Sequence, residues 1–126
     1  MIIVDTDVLV WYMRGNERAY QLIEKLTEFN ISIVTYMELV KGMRDKKELN
    51  AFRKALHVWN AKILYISEEI SAKAMFLVEQ HYLTHSLELA DALIGSTAIH
   101  YGLPLVTAND KHYKIIKGLK IKKFEP

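Results

Sequence analysis

Short apolar runs alternate with segments of helical periodicity along the whole chain, and this alternation limits the possible folds more than any other feature. The runs are rich in β-branched residues, which indicates strands buried on both faces. They span residues 2–5, 31–34, 63–66, 105–107 and 121–124. Strands that alternate with helices form a parallel sheet with helices on both faces. We therefore predict an α/β fold of three layers, with a central parallel sheet of about five strands.

Six helices are predicted between these strands, each begun by a capping residue or ended by a glycine or asparagine. They are expected to begin near residues 8, 16, 35, 45, 67 and 86. The second is expected to run to about residue 29, and the fifth to about His85. A cap at Thr35 would place Glu38 in the first turn of the third helix.

The composition fits a single domain. With 126 residues, of which 51% are apolar, the chain is long enough for one core, and we expect one domain over residues 1–126. The absence of cysteine excludes disulfides and Cys-ligated zinc. No apolar run approaches the ~20 residues of a spanning helix, so we expect a soluble, cytoplasmic protein without membrane contact. The net charge of +2 is small, although the segment from Lys111 holds six lysines and one glutamate.

Acidic residues follow the predicted strands or lie early in the helices that begin there. Asp5 ends the first strand, Glu38 and Asp91 lie in first helical turns, and Asn109 and Asp110 follow the fourth strand. Because the carboxyl ends of parallel strands meet at one edge of a sheet, we expect these side chains to converge. Carboxylate oxygens are the ligands that Mg²⁺ and Mn²⁺ prefer. The pattern predicts a metal site of the kind that metal-dependent phosphodiesterases use.

A shared metal site explains the positions of the acids better than separate local roles do. It also explains them better than the other types of site that the sequence could form. Each acid alone has an ordinary structural role, as a turn residue or as an early-helix acid that offsets the helix dipole. Asp91 has apolar neighbours, and a buried carboxylate needs a partner or a metal. His81 and His85 have a spacing suited to zinc, but no third ligand accompanies them. A receiver-like phosphoacceptor domain would need an aspartate after the third strand, where the chain has Ser67.

The acids lie in four segments of fixed order. These are residues 3–10 (IVDTDVLV), 32–42 (SIVTYMELVKG), 89–95 (LADALIG) and 106–113 (VTANDKHY). Together they resemble the ordered motifs of PIN-domain ribonucleases, and within that family the VapC-type toxins of type II toxin–antitoxin pairs. The resemblance covers essentially the whole chain and implies a PIN-like fold, in agreement with the alternation of strands and helices.

The resemblance also implies a set of site residues. Asp5, Glu38 and Asp91 match the three core acids of the family, which bind the metal and serve catalysis. The fourth position falls on Asn109, but Asp110 beside it could supply the charge, and the choice between the two stays open. Supporting roles are expected for four further residues, which are Thr6, Asp7, Glu88 and Thr107.

The implied activity is that of an endoribonuclease dependent on Mg²⁺ or Mn²⁺. The metal would activate water for in-line attack on an RNA phosphodiester, leaving 5′-phosphate and 3′-hydroxyl ends. The expected substrates are loops of structured RNA such as tRNA or rRNA, whose bases are unstacked. The expected partners are a cognate VapB-type antitoxin and a second copy of the chain, as a homodimer. Two alternatives stay open: a catalytically silent PIN module that binds RNA or protein, and a nuclease of housekeeping RNA processing.

Overall fold

Five parallel strands form one sheet in the computed structural model, which describes residues 1–84 and 86–126. The strands are β1 (Ile3–Val4), β2 (Phe29–Ser32), β3 (Ala61–Leu64), β4 (Leu105–Thr107) and β5 (Ile121–Lys123). Their order across the sheet is β3-β2-β1-β4-β5, and every neighbouring pair is parallel. The predicted α/β fold with a central parallel sheet is confirmed.

Seven helices connect and flank the strands in the described part of the chain. They are α1 (Thr6–Met13), α2 (Glu17–Lys25), α3 (Ile33–Lys41), α4 (Lys46–Val58), α5 (Glu68–His81), α6 (Leu89–Tyr101) and α7 (Asp110–Tyr113). Among the residues described, none of these helices is long and apolar enough to cross a membrane.

Hydrophobic side chains cover both faces of the sheet. Successive strand residues point to opposite faces, so Val4 joins one cluster and its neighbour Ile3 joins the other. The first cluster draws on α1, α2 and α4, and the second on α5, α6 and the segment around Tyr113. Helix α3 contributes to both, through Leu39 on one side and Val34 on the other. The result is the three-layer arrangement that the sequence predicts.

The strand order places a crevice at the carboxyl ends of β1 and β4. The chain passes from β1 to β2 and β3 on one side, then crosses to β4 and β5 on the other. In open parallel sheets, ligands bind at the carboxyl edge where the strand order reverses in this way. Asp5 directly follows β1, and Asn109 lies two residues after β4.

The predicted boundary between the second strand and the third helix is wrong. The strand spans Phe29–Ser32 rather than residues 31–34, and α3 already begins at Ile33. Ser32 caps this helix, because its side-chain oxygen accepts the N–H of Val34 at 3.0 Å. The predicted cap, Thr35, is buried inside the helix, which moves Glu38 from the first turn into the second.

Other boundaries also differ from the prediction. Helix α2 ends at Lys25 instead of near residue 29, since Leu26 is already extended with ψ 131°. The third strand begins two residues early, at Ala61, directly after Asn60 turns the chain with φ 55°. Helix α5 ends at His81, and the predicted end at His85 lies outside the described residues. Helix α6 begins at Leu89 rather than near residue 86.

Candidate functional site

A cleft of about 340 Å³ opens at the carboxyl ends of β1 and β4. Helices α1, α3 and α6 and the turn after β4 supply its walls. Its polar lining contains most of the residues expected from the sequence motifs: Asp5, Thr6, Asp7, Glu38, Asp91 and Asn109. Residues from four distant segments of the chain are therefore brought to one place.

Asp5 is the most firmly held of the acids. It is 4% exposed and caps the N-terminus of α1, where its Oδ1 accepts the N–H of Thr6 at 2.8 Å. The hydroxyl of Tyr113 also donates to Oδ1, at 3.2 Å. The hydroxyl of Thr107 donates to Oδ2 at 2.7 Å. Three donors thus fix the Asp5 carboxylate at the bottom of the cleft.

Asp7 is bonded through only one of its oxygens. Its Oδ2 accepts the N–H of Ala108 at 2.9 Å and lies 3.4 Å from the Thr107 hydroxyl. Its Oδ1 is buried and has no hydrogen-bond partner. A buried oxygen without a partner is rare in folded proteins and indicates a group that is not yet accounted for. A cation or a water molecule in the cleft would supply the missing partner of this oxygen.

Glu38 reaches the cleft from α3 and is tied to α1. The Thr6 hydroxyl donates to Glu38 Oε1 at 2.7 Å, and the same hydroxyl contacts Thr35 Oγ1 at 2.9 Å. Thr35 is fully buried, whereas the Glu38 side chain is exposed. Thr6 therefore anchors one oxygen of the Glu38 carboxylate, and Thr35 in turn contacts Thr6.

Asp91 lies in the first turn of α6, as expected. Its Oδ2 accepts the backbone N–H of Glu88 at 3.3 Å and lies 3.7 Å from Nδ1 of His112. The side chain is 13% exposed, and it lines the cleft. Glu88 occupies the N-cap position of α6 and is exposed. The structure thus places Glu88 at the helix end and not in the lining of the cleft.

Asn109 and Asp110 are separated by the turn after β4. The N–H of Asn109 donates to the Thr107 hydroxyl oxygen at 2.9 Å, and its side chain lines the cleft. Asp110 begins α7 and lies outside the cleft lining. The sequence leaves open whether Asn109 or Asp110 is the fourth site residue. The fold brings Asn109, and not Asp110, to the acids that line the cleft.

Comparison with known proteins places the chain in a family. A family model of the PIN domain matches residues 2–118. The chain belongs to the PIN-domain family. It is 35% identical to Ribonuclease VapC1 of Methanocaldococcus jannaschii, in an alignment of 126 residues that covers 95% of this chain and 85% of that protein.

Two solved structures share the fold of this PIN domain closely. One is a toxin–antitoxin complex from Klebsiella pneumoniae, with 29% identity, a TM-score of 0.74, and coverage of 94% of this chain and 95% of that one. The other is the crystal structure of VapBC2 from Rickettsia felis bound to a DNA fragment from their promoter. It shows 26% identity and a TM-score of 0.79, and covers 99% of this chain and 100% of that one. The VapC-type resemblance expected from the motifs is confirmed.

Burial disfavours the charged form of three acids that line the cleft of this PIN domain, which are Asp5, Asp7 and Asp91. Burial, and next the charge of Asp7, raise the pKa of Asp5 to about 7, although the hydrogen bonds from Thr107, Thr6 and Tyr113 lower it. Burial also raises the pKa of Asp7 and of Asp91 above the usual range. Without a counter-charge, the cleft therefore favours protonated carboxyl groups at this edge of the sheet.

The donor set suits a hard divalent cation that keeps part of its water shell. Within residues 1–84 and 86–126, no three His, Asp or Glu side chains converge into a ready-made metal cage. Mg²⁺ needs no such cage, because it retains several waters and binds through one or two carboxylates. Asp5 and the unpartnered Oδ1 of Asp7 offer this kind of oxygen pair. The residues of the cleft therefore fit Mg²⁺ or Mn²⁺.

Tyr113 is the buried neighbour of Asp5 to which the sequence motifs assign no role. Its ring is fully buried, and burial together with the charges of Asp5 and Asp91 raises the pKa of its hydroxyl far above the usual range. It therefore stays protonated and acts as a donor to Asp5. No sequence pattern singles this residue out, since Tyr113 is one of two aromatic residues, with Phe124, in the lysine-rich segment from Lys111.

A larger groove adjoins the cleft on the side of α3 and α4. Its volume is about 1060 Å³, and most of its exposed lining is apolar. It shares three residues with the cleft, which are Val10, Arg14 and Glu38. A ligand in the groove would therefore contact the edge of the acidic site.

Proposed function

We propose that this PIN-domain protein is a divalent-metal-dependent endoribonuclease and the toxin of a VapBC-type toxin–antitoxin pair. The observation that carries the proposal is the single cleft that Asp5, Asp7, Glu38 and Asp91 all line, with Asp7 Oδ1 buried and unpartnered. The relative named Ribonuclease VapC1 and the two toxin–antitoxin structures support the nuclease and toxin roles. We propose that it acts in the cytoplasm, where structured RNA is present.

Asp5, Glu38 and Asp91 would hold Mg²⁺ or Mn²⁺, and Asp7 would add the charge of its free oxygen. When bound, the cation supplies a Lewis acid that activates water and offsets charge on the phosphodiester. Thr107 and Thr6 keep two of the acids in place through hydrogen bonds of 2.7 Å each, to Asp5 and to Glu38. We propose that water attacks the phosphorus and that the 3′ oxygen leaves, so that hydrolysis gives 5′-phosphate and 3′-hydroxyl ends.

Arg14 and Trp11 are the cleft residues suited to RNA. Both line the cleft, and the guanidinium carbon of Arg14 lies 5.8 Å from the centroid of the Trp11 ring. A guanidinium binds phosphate oxygens, and an indole face stacks on an unpaired base. These contacts favour loops of structured RNA, such as tRNA or rRNA loops, as substrates.

The apolar groove is our proposed site for the antitoxin. An amphipathic segment of a VapB-type partner would cover Met13 and Val58, which lie in its lining and are 48% and 80% exposed. A basic residue of that segment could then pair with Glu38 at the edge shared with the cleft and block the acids. We also propose a homodimer, since α5 leaves Met75 62% and Phe76 52% exposed.

Cleavage of end-labelled structured RNA tests the nuclease proposal. Wild type, Asp5→Asn and Asp110→Asn are compared in Mg²⁺, in Mn²⁺ and in EDTA. Asp110→Asn is the matched control, because the same change is made in an acid outside the cleft lining. We expect metal-dependent cutting by wild type and Asp110→Asn, and a loss of at least about 100-fold in Asp5→Asn. RNA binding without cutting by all three would instead favour a catalytically silent module.

A further inference from the structure

The hydrogen bonding of Asp5 is completed by a residue 108 positions away in the chain. Tyr113, the last residue of α7, is fully buried, and its hydroxyl donates to Asp5 Oδ1 at 3.2 Å. Its ring belongs to the hydrophobic cluster on the α5 and α6 side of the sheet. The contact therefore couples the cleft to the core beneath it.

Gly95 on α6 allows the segment after α7 to pack this closely. A Cβ at Gly95 would lie 2.9 Å from Ile116 Cδ1 and 3.8 Å from Tyr113 Cδ1. Ile116 is itself only 3% exposed, so it has little space into which to move. The buried ring of Tyr113 therefore lies against α6 at Gly95, while its hydroxyl donates to Asp5.

The three donors leave one position open on the Asp5 carboxylate. Oδ1 accepts from the Thr6 N–H and from the Tyr113 hydroxyl, whereas Oδ2 accepts only from the Thr107 hydroxyl. An ionised carboxylate offers about four lone-pair positions, two on each oxygen. Both positions on Oδ1 are therefore occupied, and the remaining one is on Oδ2.

We propose that Tyr113 is a positioning residue, whose hydroxyl holds the Asp5 carboxylate so that Oδ2 is presented to a divalent cation in the cleft. The inference rests on the proposed function, since the cation is part of it. Without the hydroxyl, Oδ1 has one donor fewer and the carboxylate rotates more freely about its terminal torsion. Cation binding then has to order the carboxylate, so affinity falls, as it does when other residues that orient metal ligands are removed.

Tyr113→Phe removes the hydroxyl and keeps the buried ring. Binding of Mn²⁺ alone, without RNA, is measured by titration calorimetry on wild type, Tyr113→Phe and Tyr65→Phe. Tyr65 is the matched control, because its side chain is 66% exposed. We expect the Kd for Mn²⁺ to rise about tenfold in Tyr113→Phe and to be unchanged in Tyr65→Phe. The affinity for RNA in EDTA should be the same in all three proteins. A general loss of structure in a variant would change that affinity.

The outcomes separate this inference from the proposed function. A folded Tyr113→Phe protein that binds Mn²⁺ as tightly as wild type overturns the role of Tyr113 and leaves the nuclease proposal standing. If wild type itself binds no Mn²⁺, both fail. Should Tyr113→Phe be too unstable to assay, Tyr113→Met fills the space without a hydroxyl, and the same rise in Kd is expected; an unchanged Kd in that variant overturns the inference.

Discussion

Thr107 and Asp5 are 102 residues apart in the chain, yet the Thr107 hydroxyl donates a hydrogen bond of 2.7 Å to Asp5 Oδ2. The same hydroxyl oxygen accepts the backbone N–H of Asn109 at 2.9 Å. The threonine therefore joins the carboxyl ends of β1 and β4, the strands between which the order of the sheet reverses. One short side chain fixes both the first acid and the turn that carries Asn109.

Thr107→Val should weaken both the fold and the site. Valine keeps the shape of the side chain but leaves the buried Asp5 oxygen and the Asn109 N–H each without a partner. We expect the free energy of unfolding to fall by about 1–3 kcal/mol, and RNA cleavage to fall about tenfold or more. Urea denaturation and single-turnover cleavage measure the two effects. Thr84→Val, at an exposed position, is the control, and wild-type values in Thr107→Val would contradict the role given to the hydroxyl.

The raised pKa of Asp5 predicts how the stability of the metal-free protein depends on pH. Burial and the charge of Asp7 raise this pKa from 3.8 to about 7. Between these values the folded state binds the proton more tightly than the unfolded state does. The contribution of the group to stability is therefore present at low pH and is lost as the pH rises towards 7.

Asp5→Asn removes this titration. In EDTA at pH 8, we expect the variant to exceed wild type in stability by about 1–4 kcal/mol, and the difference to shrink as the pH falls towards 5. Urea denaturation across this pH range measures it. Equal stabilities at every pH would show that Asp5 carries no unfavourable charge in the folded protein.

Asp7→Asn should raise the stability of the metal-free protein and weaken its binding of metal. The change removes the charge that raises the pKa of Asp5 and neutralises the unpartnered buried oxygen. We expect a higher Tm in EDTA at pH 8 and a smaller increase in Tm on addition of Mn²⁺ than in wild type. Asp110→Asn should match wild type in both respects. An undiminished response to Mn²⁺ in Asp7→Asn would exclude Asp7 from the metal site.

Ser32→Ala tests the observed beginning of α3. The Ser32 hydroxyl accepts the N–H of Val34, so its loss should cost about 1 kcal/mol of stability, as for other N-caps. Ser71→Ala, at an exposed position inside α5, should be neutral or slightly stabilising, because alanine is the better helix former. Urea denaturation distinguishes the two, and a neutral Ser32→Ala would argue for a cap elsewhere.

Sequence patterns predict the strands and their parallel arrangement, because short apolar runs rich in β-branched residues are typical of strands in a buried parallel sheet. The patterns fail at boundaries where a local contact determines which residue begins or ends an element. Ile33 and Val34 favour a strand by propensity, yet both lie in α3, because Ser32 caps the helix before them. The short α7 is too brief to show a helical period, and it is absent from the prediction.

The candidate site is likewise predictable from the sequence only in part. The motifs predict that Asp5, Glu38 and Asp91 meet, and they line one cleft. The choice between Asn109 and its neighbour depends on how the chain turns after β4, which no periodicity reveals. The contact of Tyr113 with Asp5 depends on packing between segments 108 residues apart, and such contacts leave no local signal in the sequence.

The most direct test of the metal-dependent nuclease compares metal occupancy with RNA cleavage in one preparation. Mn²⁺ binding to the wild-type protein is measured by calorimetry, and cleavage of a labelled structured RNA is followed across the same Mn²⁺ concentrations. We predict that cleavage rises with occupancy, that both reach half-maximum at about the same concentration, and that Asp5→Asn loses both. Full cleavage at concentrations that leave the site empty, or in Asp5→Asn, would contradict a metal-dependent mechanism at this cleft.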